Sequence, residues 1–266
     1  MTDIGSESPW ELPALSMEEA KKLFDGPFSE QLHQLIVHHM SYFVFGTKGP
    51  SGEPQSLQNG TCFFIRTPSR LLVVTARHVI EGFQAAKASN SSTICQIGNV
   101  PFEPLERLVG AGEKADIATL DLTEDELKRI GKIPITLWPS DPPDGDDRGV
   151  LLAGFPGAAT ITHENPRIRG FGIYAASGVA QRVTEWQLSC SVEWENSSPP
   201  PSGMGSLPPR HYDTGGMSGG PMLAIRERRG LMSFPLAGVI SEGRSETDTI
   251  IAERADCIRA DGVIRT

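Results

Sequence analysis

Apolar residues run together in fours and fives, or alternate with polar ones, along most of this chain. Tyr42-Phe43-Val44-Phe45 predicts a first strand. A turn-rich stretch, Gly46 to Gly60, follows. Thr61 to Arg66 and Leu71 to Thr75 predict a hairpin joined by Thr67-Pro68-Ser69-Arg70, with a short helix starting near His78. Thr93 to Ile97 is a further strand, and Ile117 to Leu122 alternates as a half-buried one with Asp116 at its head. Thr123-Glu124-Asp125-Glu126 opens a helix to about Ile130, because the threonine caps free amides and the glutamate three residues on bonds back. Ile135 to Trp138 ends a first half, and the Pro- and Asp-rich segment from Asp141 to Arg148 reads as a connection. Gly149 to Phe155, Phe171 to Tyr174, Gly178 to Val183 and Gln187 to Glu193 predict strands of a second half. Asn196 to Pro209 is a Pro/Ser/Gly loop. Pro221 to Arg226 and Phe234 to Ile240 predict a hairpin turning at Arg229-Gly230, and Ala252 to Ile264 predicts a closing helix.

The pattern before residue 42 is different. Residues 1–15 form an acidic lead, and Ser16-Met17-Glu18-Glu19 caps a short helix that Gly26-Pro27 breaks. Leu32, Leu35, Ile36, His39 and Met40 recur at helical spacing and predict a second helix over Ser29 to Met40. Its apolar face either packs on the outside of the strand-rich body or offers a docking face to a partner protein.

Composition narrows the function classes. With 28 Gly and 21 Pro in 266 residues, the chain suits many short strands joined by turns. A net charge of -9 argues against nucleic acid as a partner, since phosphates call for Lys and Arg. The start, Met1-Thr2-Asp3-Ile4, carries no export signal, and no apolar run is long enough to span a membrane. A cytoplasmic location and no membrane partner are therefore expected. Cys62, Cys95, Cys190 and Cys257 are scattered without a C-x-x-C pair, so free thiols are expected, with no metal and no cofactor.

The candidate chemistry lies in Gly215-Gly216-Met217-Ser218-Gly219-Gly220-Pro221. A serine hydroxyl needs a neighbouring base to become a nucleophile, and amide N–H groups to hold the oxyanion formed in acyl transfer. The amides of Gly216 and Ser218 are the candidate oxyanion donors. Gly216-Met217-Ser218-Gly219-Gly220 also fits the elbow of α/β-hydrolases, but that order requires a histidine after the serine, and the last one here is His211. The order His, Asp, Ser is available through Thr75-Ala76-Arg77-His78 and Ala115-Asp116-Ile117-Ala118. Asp121 is a rival carboxylate on the same strand.

These segments, with Gly238-Val239-Ile240-Ser241-Glu242-Gly243, resemble the chymotrypsin-like (trypsin-like) serine endopeptidases over roughly residues 55–250. The resemblance implies an all-β fold of two six-stranded antiparallel β-barrels, the first about 42–140 and the second about 149–250, inside a peptidase domain of residues 42–266. Residues 1–41 would be a helical extension. It implies a catalytic triad of His78, Asp116 and Ser218 that hydrolyses peptide bonds in a protein or peptide substrate. Ser241 would support the aspartate, and Gly243 would pair with the substrate backbone. Tyr212 falls at the specificity position with Asp213 next to it, so a carboxylate selecting Arg or Lys and a closed pocket for small or apolar side chains both stay open. Glu242 would draw a basic side chain into an adjacent subsite, or be a solvated carboxylate; His211 is a candidate for the pocket border. Secreted relatives carry a cysteine after the histidine, where this chain has Val79. Digestive relatives carry an aspartate before the serine, where this chain has Met217, so activation by N-terminal cleavage is not expected, and a partner protein that completes the oxyanion hole is a candidate control. Two other readings use the same segments: a binding module on a peptidase fold without turnover, and an esterase.

Overall fold

The computed structural model describes residues 27–50, 52–136, 138–142, 145, 148–162, 164–165, 169–192, 213–228 and 231–266. The acidic lead, the helix expected near residues 16–24, the Asn196–Pro209 loop, the 229–230 turn, Tyr212 and His211 lie outside them.

The chain folds as two antiparallel β units side by side. The first begins with helix α1 (Pro27–Val37), then strands β1 (Met40–Lys48), β2 (Pro54–Arg66) and β3 (Leu71–Thr75). Helix α2 (Arg77–Ser89) leads to β4 (Ile94–Ile97) and β5 (Val100–Pro101). Helix α3 (Pro104–Arg107), β6 (Leu108–Ala111), β7 (Ala118–Asp121) and helix α4 (Glu124–Ile130) complete it. These strands form one seven-stranded sheet in the order β5-β4-β1-β2-β3-β7-β6, where a closed six-stranded barrel was expected. The second unit contains β8 (Gly149–Gly154), the short pair β9 (Thr160–Thr162) and β10 (Arg169–Phe171), then β11 (Tyr174–Val183) and β12 (Gln187–Ser191). It continues through β13 (Pro221–Ala224), the pair β14 (Arg226–Arg228) and β15 (Leu231–Ser233), β16 (Leu236–Arg244) and β17 (Thr249–Arg254). Six of these close a barrel in the order β11-β12-β17-β16-β13-β8.

Strand alternation explains why the two units pack. In β3, Leu71 and Val73 face a core with Phe43, Phe45, Phe64 and Phe83, while Leu72 and Val74 face the other way. In β8, Val150 and Leu152 fill the barrel, while Leu151 and Ala153 point out of it. The outward residues of both units meet in a third core, the seam, with Ala115, Ile117, Leu223 and Val239. Successive strand side chains take opposite faces, so a strand buried on both sides is apolar along its length, as residues 71–74 are.

Three elements depart from expectation. Helix α1 ends at Val37, and Met40 already pairs with Phe63 in the sheet. Leu32, Ile36 and Val37 sit in the seam, so the helix packs between the units rather than on one unit's outside. The stretch expected as turns contains the start of β2, whose residues 55–58 are exposed and mostly polar yet pair with β1, Phe45 opposite Gln58 and Lys48 opposite Pro54. Strand β17 stands where the closing helix was expected to begin. Ile250 and Ala252 point into the barrel, β17 joins β12 to β16, and after one turn of 3-10 helix the chain ends in an Ile258–Ile264 bridge. Helix α4 matches expectation, with Thr123 and Glu126 forming a reciprocal capping box.

Candidate active site

His78 is delivered by the end of β3. The strand runs buried to Thr75, and His78 lies in the first turn of α2. Thr75 pairs with Ala118 of β7, so the residues just before β7 come to lie opposite Arg77 and His78. The Arg77 amide donates to the Asp116 carbonyl (3.3 Å), and the Arg77 guanidinium donates to the Gly112 carbonyl (2.6 Å). Held in this way, the Asp116 carboxylate accepts two bonds from one residue: the His78 amide at 3.0 Å and the His78 ring Nδ1–H at 2.6 Å. A ring that donates through Nδ1 leaves Nε2 free to accept a proton.

Charge follows this geometry. The hydrogen bond to Asp116 raises the His78 pKa, burial works against it, and the charges of Asp116 and Glu81 add to the rise. For Asp116, burial pushes upward, but the bonds and charge of His78 together hold the carboxyl below its usual value. Both shifts favour the charged pair. The His78 side chain is 47% exposed and that of Asp116 24%, so the imidazole keeps one face open. The rival Asp121 lies at the surface in an ion pair with Arg70 (3.1 Å).

Ser218 stands on a tight turn fixed on all sides. Met217 is buried in the barrel core, the Gly219 amide donates to Ile240 (2.7 Å), and the Thr61 amide donates to the Ser218 carbonyl (2.8 Å). Gly219 has a positive φ of 88°, and a Cβ there would run into the Thr61 carbonyl, the Thr75 hydroxyl and the Ala76 amide. The turn carrying the serine therefore presses on the chain two residues ahead of His78. The Ser218 hydroxyl itself donates to the Ser241 carbonyl at 3.3 Å, and no Ser218–His78 hydrogen bond occurs among the described residues.

The peptide before the serine is also pinned. The Gly157 amide donates to the Gly215 carbonyl (2.7 Å), and the Thr61 hydroxyl donates to the Gly216 carbonyl (2.8 Å). Because a trans peptide sets its N–H opposite its carbonyl, the first bond turns the Gly216 amide away from Gly157. Neither the Gly216 nor the Ser218 amide has an acceptor among the described residues.

The remaining expected site residues separate into two groups. A Cβ on Gly243 would run into the Thr214 side chain and lie 3.3 Å from that of Ile250. The adjoining cavity, lined by Tyr174, Thr214 and Ile250 among others, measures ≈ 30 Å³, room for about one or two waters. Asp213 is exposed, and its carboxylate accepts the Gly215 amide (2.8 Å), so it serves the turn. Glu242 forms an exposed ion pair with Arg244 (2.8 Å). Ser241 does not bond Asp116; its hydroxyl donates to the Ile251 carbonyl (3.4 Å).

Three residues of the site were not expected. Thr61 uses every polar atom it has: its amide and hydroxyl donate to Ser218 and Gly216, the hydroxyl accepts from the Phe155 amide (2.9 Å), and its carbonyl accepts from Thr75 (2.7 Å). Asn59 donates to the Phe155 carbonyl (2.7 Å). Glu253 is buried beneath Ser241 and Asp116. A threonine in a strand or a glutamate in an apparent helix carries no sequence signal of such roles.

No family model matches the sequence, and no curated protein matches it. Among solved structures the chain is similar to the active form of the Rv3671c protease from M. tuberculosis, at 16% identity and a TM-score of 0.47, over 87% of this chain and 83% of that one. It is also similar to AL20, a thermostable serine protease from an extremophilic microorganism, at 14% identity and a TM-score of 0.46, over 81% and 90% of the two chains. Both likenesses concern the fold; the chemistry rests on the chain's own residues.

Proposed function

We propose that this protein is a serine endopeptidase. Ser218 Oγ attacks a peptide carbonyl while His78 Nε2 takes its proton and then delivers it to the leaving amine. Asp116 holds the ring in the tautomer that leaves Nε2 free, and stabilises the imidazolium formed on the way. The amides of Gly216 and Ser218 receive the oxyanion, and water hydrolyses the acyl-enzyme by the reverse sequence. The observation that carries this reading is the 2.6 Å bond from His78 Nδ1 to Asp116, beside a serine turn pinned against the same strand end.

One step precedes the chemistry. The Ser218 hydroxyl must leave the Ser241 carbonyl for His78 Nε2, by rotation about the serine's Cα–Cβ bond. Substrate or an activating partner protein would drive it by occupying the Ser241 carbonyl. An extended peptide laid along residues 241–243 does this naturally, since its own amide replaces the serine hydroxyl there. Protein and peptide substrates are favoured over small esters for that reason. Asp213, spent on the Gly215 amide, lends no support to a trypsin-like preference for Arg or Lys.

A fluorophosphonate probe tests the reading. Wild-type protein is expected to be labelled and Ser218→Ala not, with peptide turnover exceeding ester turnover of matched sequence. A protein with no serine-dependent label, with and without peptide ligands, would be a binding module on this fold.

A further inference from the structure

Glu253 is the only buried carboxylate among the described residues, 2% exposed. It lies on β17, opposite Gln187 of β12 and Val239 of β16. Its neighbours Ile250 and Ala252 fill the barrel, so alternation sends Glu253 outward into the seam. Val239, opposite it, packs there with Ala115 and Ile117, the two residues flanking Asp116. One carboxyl oxygen, Oε1, accepts from Gln187 Nε2 at 2.8 Å. The other, Oε2, is enclosed and has no hydrogen-bond partner. The carboxyl group stands beside the Ser241 hydroxyl and the Asp116 amide, and that amide has no other acceptor among the described residues.

An enclosed carboxyl with one oxygen unpaired is a cost that barrel closure does not require. An apolar side chain at the same place would pack equally well against Val239. What an apolar residue lacks is a polar end pointed at both sides of the candidate triad: at the Asp116 loop, and at Ser241, whose carbonyl holds the Ser218 hydroxyl.

We propose that Glu253 is a positioning residue for the His78–Asp116 pair, its carboxyl group fastening the Asp116 loop of one unit to Ser241 of the other across the seam. The inference rests on the peptidase reading for its catalytic meaning, but its physical content is independent of turnover. Burial pushes the Glu253 pKa up most; the Gln187 side chain and the nearby Ser241 hydroxyl and Asp116 amide act against this, and the charge of Asp116 pushes it further up. In its protonated form the acid offers an O–H to the Ser241 oxygen, while the Ser241 hydroxyl donates a hydrogen bond to the Ile251 carbonyl. Other groups around Glu253 do not neutralise it: Arg254 is paired with Asp256 (2.9 Å), and the Cys257 thiol is buried.

The test compares Glu253→Val and Glu253→Gln in the full chain. The readouts are the proton resonance of His78 Nδ1–H, the pH midpoint of the His78 ring by NMR, and peptide kinetics. With Val, the Nδ1–H signal should broaden or move, and kcat should fall about tenfold or more, as displaced catalytic groups do. KM should change by less than about twofold, since no substrate contact is touched. Gln, with the same shape and no charge, should rescue the signal and kcat and leave the His78 midpoint where it is. An unchanged Nδ1–H signal and kcat in the Val protein overturn the proposal. So does a Gln protein whose His78 midpoint drops, because charge rather than fastening would then be the link. If the Val protein does not fold, the Gln midpoint decides alone. The NMR readouts need no turnover, so an unreactive Ser218 would sink the peptidase reading without touching this one.

Discussion

His78 and Asp116 are the residues whose state can be read directly. The Asp116 bond raises the histidine pKa, and the histidine holds the aspartate low against its burial. The signs then follow. The histidine's share of the pair's stability is fully present below its unfolded value of about 6.5 and is lost as pH rises through the raised folded value. The aspartate's share is present above its unfolded value and is lost as pH falls through its lowered folded value. The proposed mechanism needs the neutral ring, so on that reading the acid limb of kcat/KM should lie above about 6.5. Asp116→Asn should lower the His78 midpoint seen by NMR; a wild-type midpoint at or below the ordinary value would show that the two side chains are not paired in solution. These residues were legible in the sequence because the segments that carry them, in the order His, Asp, Ser, resemble those of a known peptidase family. Thr61 and Glu253 were not, because their roles come from what lies across the seam from them, and a threonine or glutamate suits many other places.

At the scale of elements, helix α1 and strand β17 show how context overrides local pattern. Ala252, Ala255 and Ile258 recur at intervals of three, which suggests a helix, but the barrel lacks its sixth strand unless residues 249–254 are extended between β12 and β16. Closure satisfies two rows of backbone groups at once, and that outweighs a weak helical periodicity. Helix α1 has the apolar stripe expected of it, yet the stripe gives no address. Its address is the seam, where Ile36 is fully buried. Ile36→Ala should therefore destabilise the protein by about 2–5 kcal/mol, as loss of a buried branched side chain does. Urea unfolding monitored by tryptophan fluorescence checks this, and a loss below about 0.5 kcal/mol, the size of a surface effect, would mean that the helix is not docked there.

For the whole molecule, the seam is what makes a site out of two half-sites. The first unit brings His78 and Asp116, the second brings Ser218 and its free amides, and Thr61 bonds across the join to Ser218, Gly216 and Phe155. Thr61→Val keeps the shape and removes the hydroxyl, leaving the buried Phe155 amide and Gly216 carbonyl each without a partner. Stability should fall by about 2–6 kcal/mol, at about 1–3 kcal/mol for each of the two orphaned groups. Labelling of Ser218 should slow as well, because the Gly216 carbonyl loses the Thr61 hydroxyl that anchors it. Unfolding curves and labelling rates on the same sample separate these effects, and unchanged values for both would show that the join is held elsewhere.

The order of the reactive residues, the strand-rich composition, the capped helix at Thr123 and most strand positions were set by the sequence alone. Each depends on nearest neighbours or on a side chain whose chemistry has few substitutes. The seam address of α1, the barrel-closing strand at 249–254, the pinned Gly215–Gly216 peptide and the buried carboxyl of Glu253 were decided only in three dimensions. Each of these is a contact between residues far apart in the chain, and the free energy that selects it comes from burying surface and pairing polar groups that no local stretch contains.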